Sequence, residues 1–151
     1  MDFNIRKAKE QDLPRILELY EELTGEKTGM PEDAAQKAFI EIIAVPRGEL
    51  LIIEKDNLVL GTLFMQIVPN LTHAARPWAA IENVVIDHRY HRQGIGKKLL
   101  EHALKLCSEA GCYKVQLLSS KTRKRAHRFY RDLGFEETAL GFRFYLQGIR
   151  D

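Results

Sequence analysis

Residues 80–111, AIENVVIDHRYHRQGIGKKLLEHALKLCSEAG, place a short apolar run, two closely spaced glycines and a helical stripe in succession, and few folds accommodate that order. The first part, 80–86, is apolar and β-branched apart from Glu82 and Asn83, which predicts a strand with neighbours on both sides. Ile95, Leu99, Ala103, Leu106 and Ala110 then recur at three- and four-residue steps, with Lys97, Lys98, Glu101, Lys105 and Glu109 left for water. That spacing predicts an amphipathic helix. Gly111 stops it, as a residue able to turn left-handed after the last turn.

The joint between strand and helix is where chemistry is expected. In Gln93-Gly94-Ile95-Gly96-Lys97-Lys98 the two glycines remove side chains that would keep an anion away, so successive amides can converge on one ligand. The helix start adds the positive end of its dipole, about 0.3–1 kcal/mol per anionic contact. Arg92, Lys97 and Lys98 add full charges. A tight turn with incidental lysines would have the same composition, so the surroundings must decide. The turn has neither the G-x-x-x-x-G-K-S/T of a P-loop nor the G-x-G-x-x-G of a dinucleotide fold.

What His91-Arg92-Gln93-Gly94-Ile95-Gly96 does resemble is the pyrophosphate turn of the GNAT superfamily of acyl-CoA-dependent N-acyltransferases. That turn has Gln or Arg, two residues, Gly, one residue, then Gly or Ala, after an apolar strand. His91 stands in the first position, and Arg92 beside it is the candidate for the missing charge. A second block, Ala126-His127-Arg128-Phe129-Tyr130-Arg131-Asp132-Leu133-Gly134-Phe135, is similar to the family's A-x-x-F/L-Y-x-x-x-G-F. Arg123 occupies a position where relatives commonly carry Asn. The two matches span residues 80–135, and the rest of the chain fits by pattern.

The 151 residues, 45% of them apolar, suffice for one domain over 1–151 with a single core. A formal charge of +2 is close to balance and argues against a protein built to neutralise a nucleic acid or a membrane surface. Cys107 and Cys112 have no metal-type pairing, which favours free thiols in a reducing cytoplasm. The start, Met1-Asp2-Phe3-Asn4, reads as a strand without the basic and apolar regions of a signal peptide, and no run is long enough to span a bilayer.

Before the glycine turn, alternation over 3–8 predicts a strand, and Asp12 and Pro14 open a helix with Leu13, Ile16, Leu17, Tyr20 and Leu23 on one face. Residues 24–29 are a connector that could border a substrate entrance or be merely flexible. Pro31 starts a second helix and Pro46 ends it. Two strands, 50–54 and 58–68, meet at Lys55-Asp56-Asn57, a tight-turn sequence. The polar 69–77 loop either touches an acceptor or is a solvated connection. After the central helix come a strand at 114–118, a helix at 121–133 and strands at 135–138 and 140–146. The expectation is therefore an α/β fold, a single domain with a mixed, twisted sheet of about six to seven strands and about four helices, GNAT-like by resemblance. The resemblance further implies that the strand before the glycine turn and the next strand splay, with the pantetheine arm between them.

The resemblance implies roles as well. Acetyl-CoA would be the cosubstrate, with no metal, held by the backbone of Val84, Val85 and Ile86 and by His91, Arg92, Gln93, Gly94, Ile95, Gly96 and Lys97, with Arg123 and Arg128 as further contacts. Tyr130 matches the family tyrosine that protonates the departing sulfur, although Ala126, Phe129, Tyr130 and Leu133 also make an ordinary apolar helix face. Glu82, a carboxylate in an apolar strand, should line a wet cleft as general base or pair with Arg76 or a histidine. Asn83 could orient the acceptor. The basic run 121–128 opposes the dipole of its own helix and should meet an anion: the nucleotide phosphates, an anionic acceptor, or only solvent.

The leading expectation is a cytoplasmic N-acetyltransferase acting on a primary amine of a small molecule, an amino sugar, an aminophosphonate or similar, by direct attack. The alternatives are a non-catalytic acyl-CoA sensor and acetylation of a protein amine. Neither nucleic acid nor membrane is expected as a partner; the resemblance allows a homodimer, since relatives often pair, but the sequence leaves the oligomeric state open.

Overall fold

Each predicted strand up to residue 116 finds a ladder. A computed structural model describes residues 2–27 and 29–151; Met1, in the N-terminal run, and Thr28, in the 24–29 connector, lie outside the described residues. The strands are β1 (Asn4–Lys7), β2 (Gly48–Lys55), β3 (Leu58–Val68), β4 (Trp78–Ile86) and β5 (Val115–Gln116). The helices are α1 (Leu13–Thr24), α2 (Glu32–Ile43), α3 (Thr72–Ala75), α4 (Ile95–Glu109) and α5 (Lys124–Asp132), with short 3-10 turns at Glu10–Asp12 and His88–Tyr90. Sheet order follows the sequence, β1 to β5, antiparallel until β5 joins β4 in parallel.

The chain divides into two compact units, Met1–Gln116 and Leu117–Asp151. In the first, β2 alternates its buried side chains between the two faces of the sheet. Leu50 and Ile52 join Ile16, Leu19, Phe39, Val59 and Val85 beneath α1 and α2. Leu51, Ile53, Leu60, Leu63, Met65 and Ile81 are buried as well, and Ile95, Leu99, Leu100 and Ala103 bury the apolar stripe of α4, which packs on β2, β3 and β4. Each fully buried aliphatic side chain stabilises the fold by about 1.5–3 kcal/mol, so helices on both faces clamp the strand that leads into the glycine turn. The β2–β3 turn is the predicted one, with Asp56 and Asn57 both left-handed.

Two expectations are refined and one is corrected. Asp12 is the N-cap of α1, as expected, but its carboxylate accepts from Lys9 N and Arg6 instead of from the helix amides. The 69–77 loop holds a turn at α3 in which His73, Ala74 and Ala75 are left-handed, fastened by Asn70 and Thr72 and by His73 stacking on Tyr113 at 4.0 Å. The sheet has five strands, not six or seven. Residues 135–138 and 140–146 form none, because residues 136–151 make no backbone hydrogen bond among the described residues. Alternation records which face of an extended chain is apolar; it does not supply the ladder partner that makes a strand.

Candidate active site

β4 ends at Ile86, and the chain then turns twice before α4. Asp87 fixes the first turn: its main-chain N–H donates to Leu60 O at 2.8 Å, and its carboxylate accepts from the N–H of Arg89 at 2.9 Å. The Asp87 side chain is fully buried, which an unpaired charge would not tolerate. It is paired twice, with Arg89 and with Arg15 of α1, whose Nε also donates to Val59 O at 3.1 Å. The Arg89 hydrogen bond leads in holding this carboxyl below the usual range, with burial opposing and Arg15 adding to the effect. Glu22 accepts from His88 N at 3.2 Å on the outer side. Glu22, Asp87 and His88 bring ligand-type atoms within 4.8 Å of one another, but two guanidinium groups already on Asp87 oppose a cation there.

The second turn is left-handed at Arg92 (φ 62°) and again at Gly94 (φ 75°), with Gly94 as the N-cap of α4. His91 Nε2 donates to Ile86 O at 2.8 Å, so this ring ties the turn back to the end of β4. The main-chain N–H groups of Gln93, Gly94, Ile95, Gly96 and Lys97 donate to nothing among the described residues, and the first helical bond to Gly94 O comes only from Lys98 N. A β-carbon added at Gly94 would meet no atom within 4 Å. Five amides at the positive end of a fifteen-residue helix, beside open space, make an anion site in which a diphosphate fits. Arg92 and Lys98 are exposed beside it, and Lys97 is only loosely engaged by Glu101 at 3.7 Å.

The strand itself carries the next feature. β5 pairs with β4 only at Ala79 and Ala80, so among the described residues no strand pairs with β4 on that side from Ile81 to Ile86. The opposite edge is irregular: Thr62 pairs with Val85 and Phe64 with Glu82, which leaves Asn83 and Val84 facing Leu63 alone. Asn83 is left-handed (φ 54°), the signature of a bulge that re-aims the backbone. Val84 and Ile86 are half-buried and Val85 is buried. Glu82 is exposed and its carboxylate makes no ion pair or hydrogen bond among the described residues, so the expected pairing with Arg76 or a histidine is absent there.

In the second unit, Tyr130 lies on α5 and packs edge-on against Phe135 and at a tilt against Phe129, with ring centroids 5.7 and 5.4 Å away. Burial raises its phenol pKa, and Arg123 pulls it down. Lys121, Arg123, Lys124, Arg125 and Arg128 are exposed and make no ion pair among the described residues, and the first turn of α5 holds no acidic residue.

The structure thus gathers Glu82, Val84, Val85, Ile86 and 91–97 along one strand and its turn, while Tyr130, Arg123 and Arg128 share the second unit. Sequence reading missed Arg15, Asp87 and Gly61. A β-carbon at Gly61 would meet Ile86 Cδ1 at 2.3 Å and Val85 O at 2.9 Å, so glycine lets β3 approach the end of β4. A carboxylate at the end of an apolar run was the one available signal for Asp87.

Comparison with known proteins identifies the family. The sequence profile described as "Acetyltransferase (GNAT) family" matches residues 14–135. Glucosamine 6-phosphate N-acetyltransferase of Trypanosoma brucei brucei is 30% identical over 135 residues, covering 89% of this chain and 90% of that protein. Among solved structures, a provisionally named acetyltransferase from Agrobacterium tumefaciens superposes with a TM-score of 0.90 at 34% identity, over 95% of this chain and 99% of that one. A transcriptional regulator from Bacillus halodurans reaches 0.88 at 29% identity, over 96% and 100%.

Proposed function

The chain belongs to the acetyltransferase (GNAT) family, and from that premise we propose that it moves the acetyl group of acetyl-CoA to a primary amine of a small molecule, an amino sugar, an aminophosphonate or a related compound. The observation that carries the reading is the row of undonated amides from Gln93 to Lys97, beside open space at a left-handed glycine. Acetyl-CoA supplies an activated thioester and a diphosphate. The amides of 93–97 hold the diphosphate, with Arg92 and Lys97 adding charge. Main-chain groups of Val84, Val85 and Ile86 along the open edge of β4 hold the pantetheine arm, and the bulge at Asn83 turns an amide toward the carbonyl oxygen that gains charge. Glu82, exposed and unpaired, takes a proton from the acceptor ammonium directly or through water.

Tyr130 donates a proton to the departing sulfur, a role that the resemblance of its sequence block implies and that suits a phenol kept neutral by burial. Arg123 and Arg128 serve as further anion contacts, either to the nucleotide or to a phosphorylated acceptor such as the T. brucei relative's name describes. No metal takes part in this scheme. Residues 1–151 act as one N-acetyltransferase domain, in the cytoplasm, without nucleic-acid or membrane partners, and as a homodimer. No helix among the described residues is long and apolar enough to cross a membrane.

A second reading is a non-catalytic acyl-CoA-binding module, which the regulator name of the B. halodurans neighbour favours. Release of free thiol from acetyl-CoA, followed across amino sugars, aminophosphonates and peptides with free N-termini, separates these outcomes. Thiol release with a small amine supports the proposal. Release only with peptides means a protein amine is the acceptor, and tight acetyl-CoA binding without release favours the binding module.

A further inference from the structure

The far end of α4 brings the chain's two cysteines together. Gly111, left-handed at φ 81°, closes the helix, and its N–H donates to Ser108 O at 3.0 Å while Cys112 N donates to Cys107 O at 3.1 Å. These two bonds make a Schellman motif, in which the side chain after the glycine meets one from the last turn of the helix. With covalent bonds of about 1.2–1.5 Å on either side, the main-chain link from Cys112 to Cys107 holds their Cα atoms within about 7 Å. That is within the span of a disulfide. Both are free thiols, Cys107 buried and Cys112 half-buried, and their side chains interact directly. Burial pushes the Cys107 thiol up to about 11; burial raises Cys112 too, but the charge of Arg47 pulls it back down. Beyond Cys112 the chain enters β5, with Tyr113 N donating to Pro77 O and Ala79 N to Lys114 O, each at 3.0 Å.

We propose that Cys107 and Cys112 form an oxidation site, at which a peroxide converts the Cys112 thiol to a sulfenic acid and Cys107 then closes a reversible disulfide across the end of α4. In the first step the Cys112 sulfur attacks one peroxide oxygen; the S–O bond forms, the O–O bond breaks and water leaves with the thiol proton. In the second step the Cys107 sulfur attacks the Cys112 sulfur; the S–S bond forms, the S–O bond breaks and the Cys107 proton leaves with the hydroxyl as water. Two electrons pass from the thiol pair to the peroxide, and a dithiol returns them. The order of attack follows from exposure: the half-buried Cys112 meets the oxidant, whereas the buried Cys107 needs only to reach its neighbour. The bond fastens the end of α4 to the chain entering β5. Fifteen helical residues, about 22 Å, separate this corner from the amides of 93–97. The inference therefore rests on neither acetyl transfer nor the anion site, and each fails without the other.

Mass spectrometry of the full chain, reduced, desalted and then exposed to hydrogen peroxide, tests the proposal. The wild type should lose the mass of two hydrogen atoms and remain a single chain under non-reducing conditions. Cleavage after Lys105 and Lys114 releases both cysteines in one peptide, 106–114, and the loss should be confined to it. Dithiothreitol should restore both thiols to alkylation. Cys107→Ser removes the resolving thiol, so peroxide should leave a sulfenic acid at Cys112 that dimedone labels. The wild-type readings need no variant. A wild type of unchanged mass with both thiols still alkylated overturns the proposal, as the behaviour of a packing contact alone. So does a Cys112 sulfinic or sulfonic acid without the bridged peptide, a disulfide formed only between chains, or a folded Cys107→Ser protein in which Cys112 takes no label.

Discussion

Arg15 on α1 and Asp87 at the end of β4 are joined across 72 positions of sequence, with Nη2 of Arg15 donating to Oδ2 of a fully buried carboxylate. The same carboxylate holds the N–H and the guanidinium of Arg89, so one buried charge fastens the first helix to the turn from which the anion site begins. Hydrogen bonds to charged groups contribute about 1.5–3 kcal/mol each. Asp87→Asn keeps the shape and loses the charge. It should lower stability by about that amount, roughly 3–12 °C in Tm for a chain of this size, and weaken acetyl-CoA binding because the turn is less constrained. Thermal unfolding and calorimetry read the two effects; unchanged values for both would mean the pair is incidental.

Acid sensitivity follows from the same group and from a second cluster, in which Arg6 binds both Asp12 and Glu54. Asp87, Asp12 and Glu54 all have lowered pKa values, led by hydrogen bonds from Arg89, Arg6 and Arg6 respectively. The folded chain therefore binds fewer protons than the unfolded chain at these sites. Their stabilisation is complete above the ordinary carboxylate range, about 3.9–4.3, and is lost as pH falls through the depressed folded values. Tm should hold steady from neutral pH to about 5 and drop below about 4. Asp87→Asn should flatten that drop, and an identical acid limb in the variant would show that Asp87 does not contribute to it.

Tyr130→Phe removes one hydroxyl from a ring held by Phe129 and Phe135. Turnover should fall by about 10²–10⁴, the range of a well-placed general acid, while the acetyl-CoA dissociation constant stays near the wild-type value. Wild-type turnover in the variant would remove Tyr130 from the chemistry.

Glu82→Gln tests the proton acceptor. Because Glu82 is exposed and makes no ion pair among the described residues, the substitution should leave the unfolding free energy within about 0.5 kcal/mol of the wild type and lower kcat by about 10²-fold or more. A large loss of stability with normal kcat would assign it a structural role instead.

The sequence carried the strand, turn and helix of 80–111 plainly, because apolar spacing and glycine placement are local signals, and β4, Gly94 and α4 appear where that spacing put them. Arg15 meeting Asp87 was invisible, since no local pattern reports a contact formed only when α1 crosses the sheet. The bulge at Asn83 left a fainter trace: a residue type that tolerates left-handed backbone within an apolar strand. Gly61 gave none, because its constraint is the nearness of Ile86 on the next strand. At 140–146 the apolar residues predict a strand that finishes the sheet, and none forms there among the described residues, since periodicity is silent about the partner.

The most direct measurement is a calorimetric titration of acetyl-CoA into the wild type and into Gly94→Val. A β-branched residue at φ 75° is strained, and its side chain enters the space where the diphosphate would lie. The dissociation constant should rise at least tenfold, about 1.4 kcal/mol, with the fold retained. Equal affinity in the two proteins, or no binding by the wild type, would contradict the assignment of the 93–97 amides to the diphosphate.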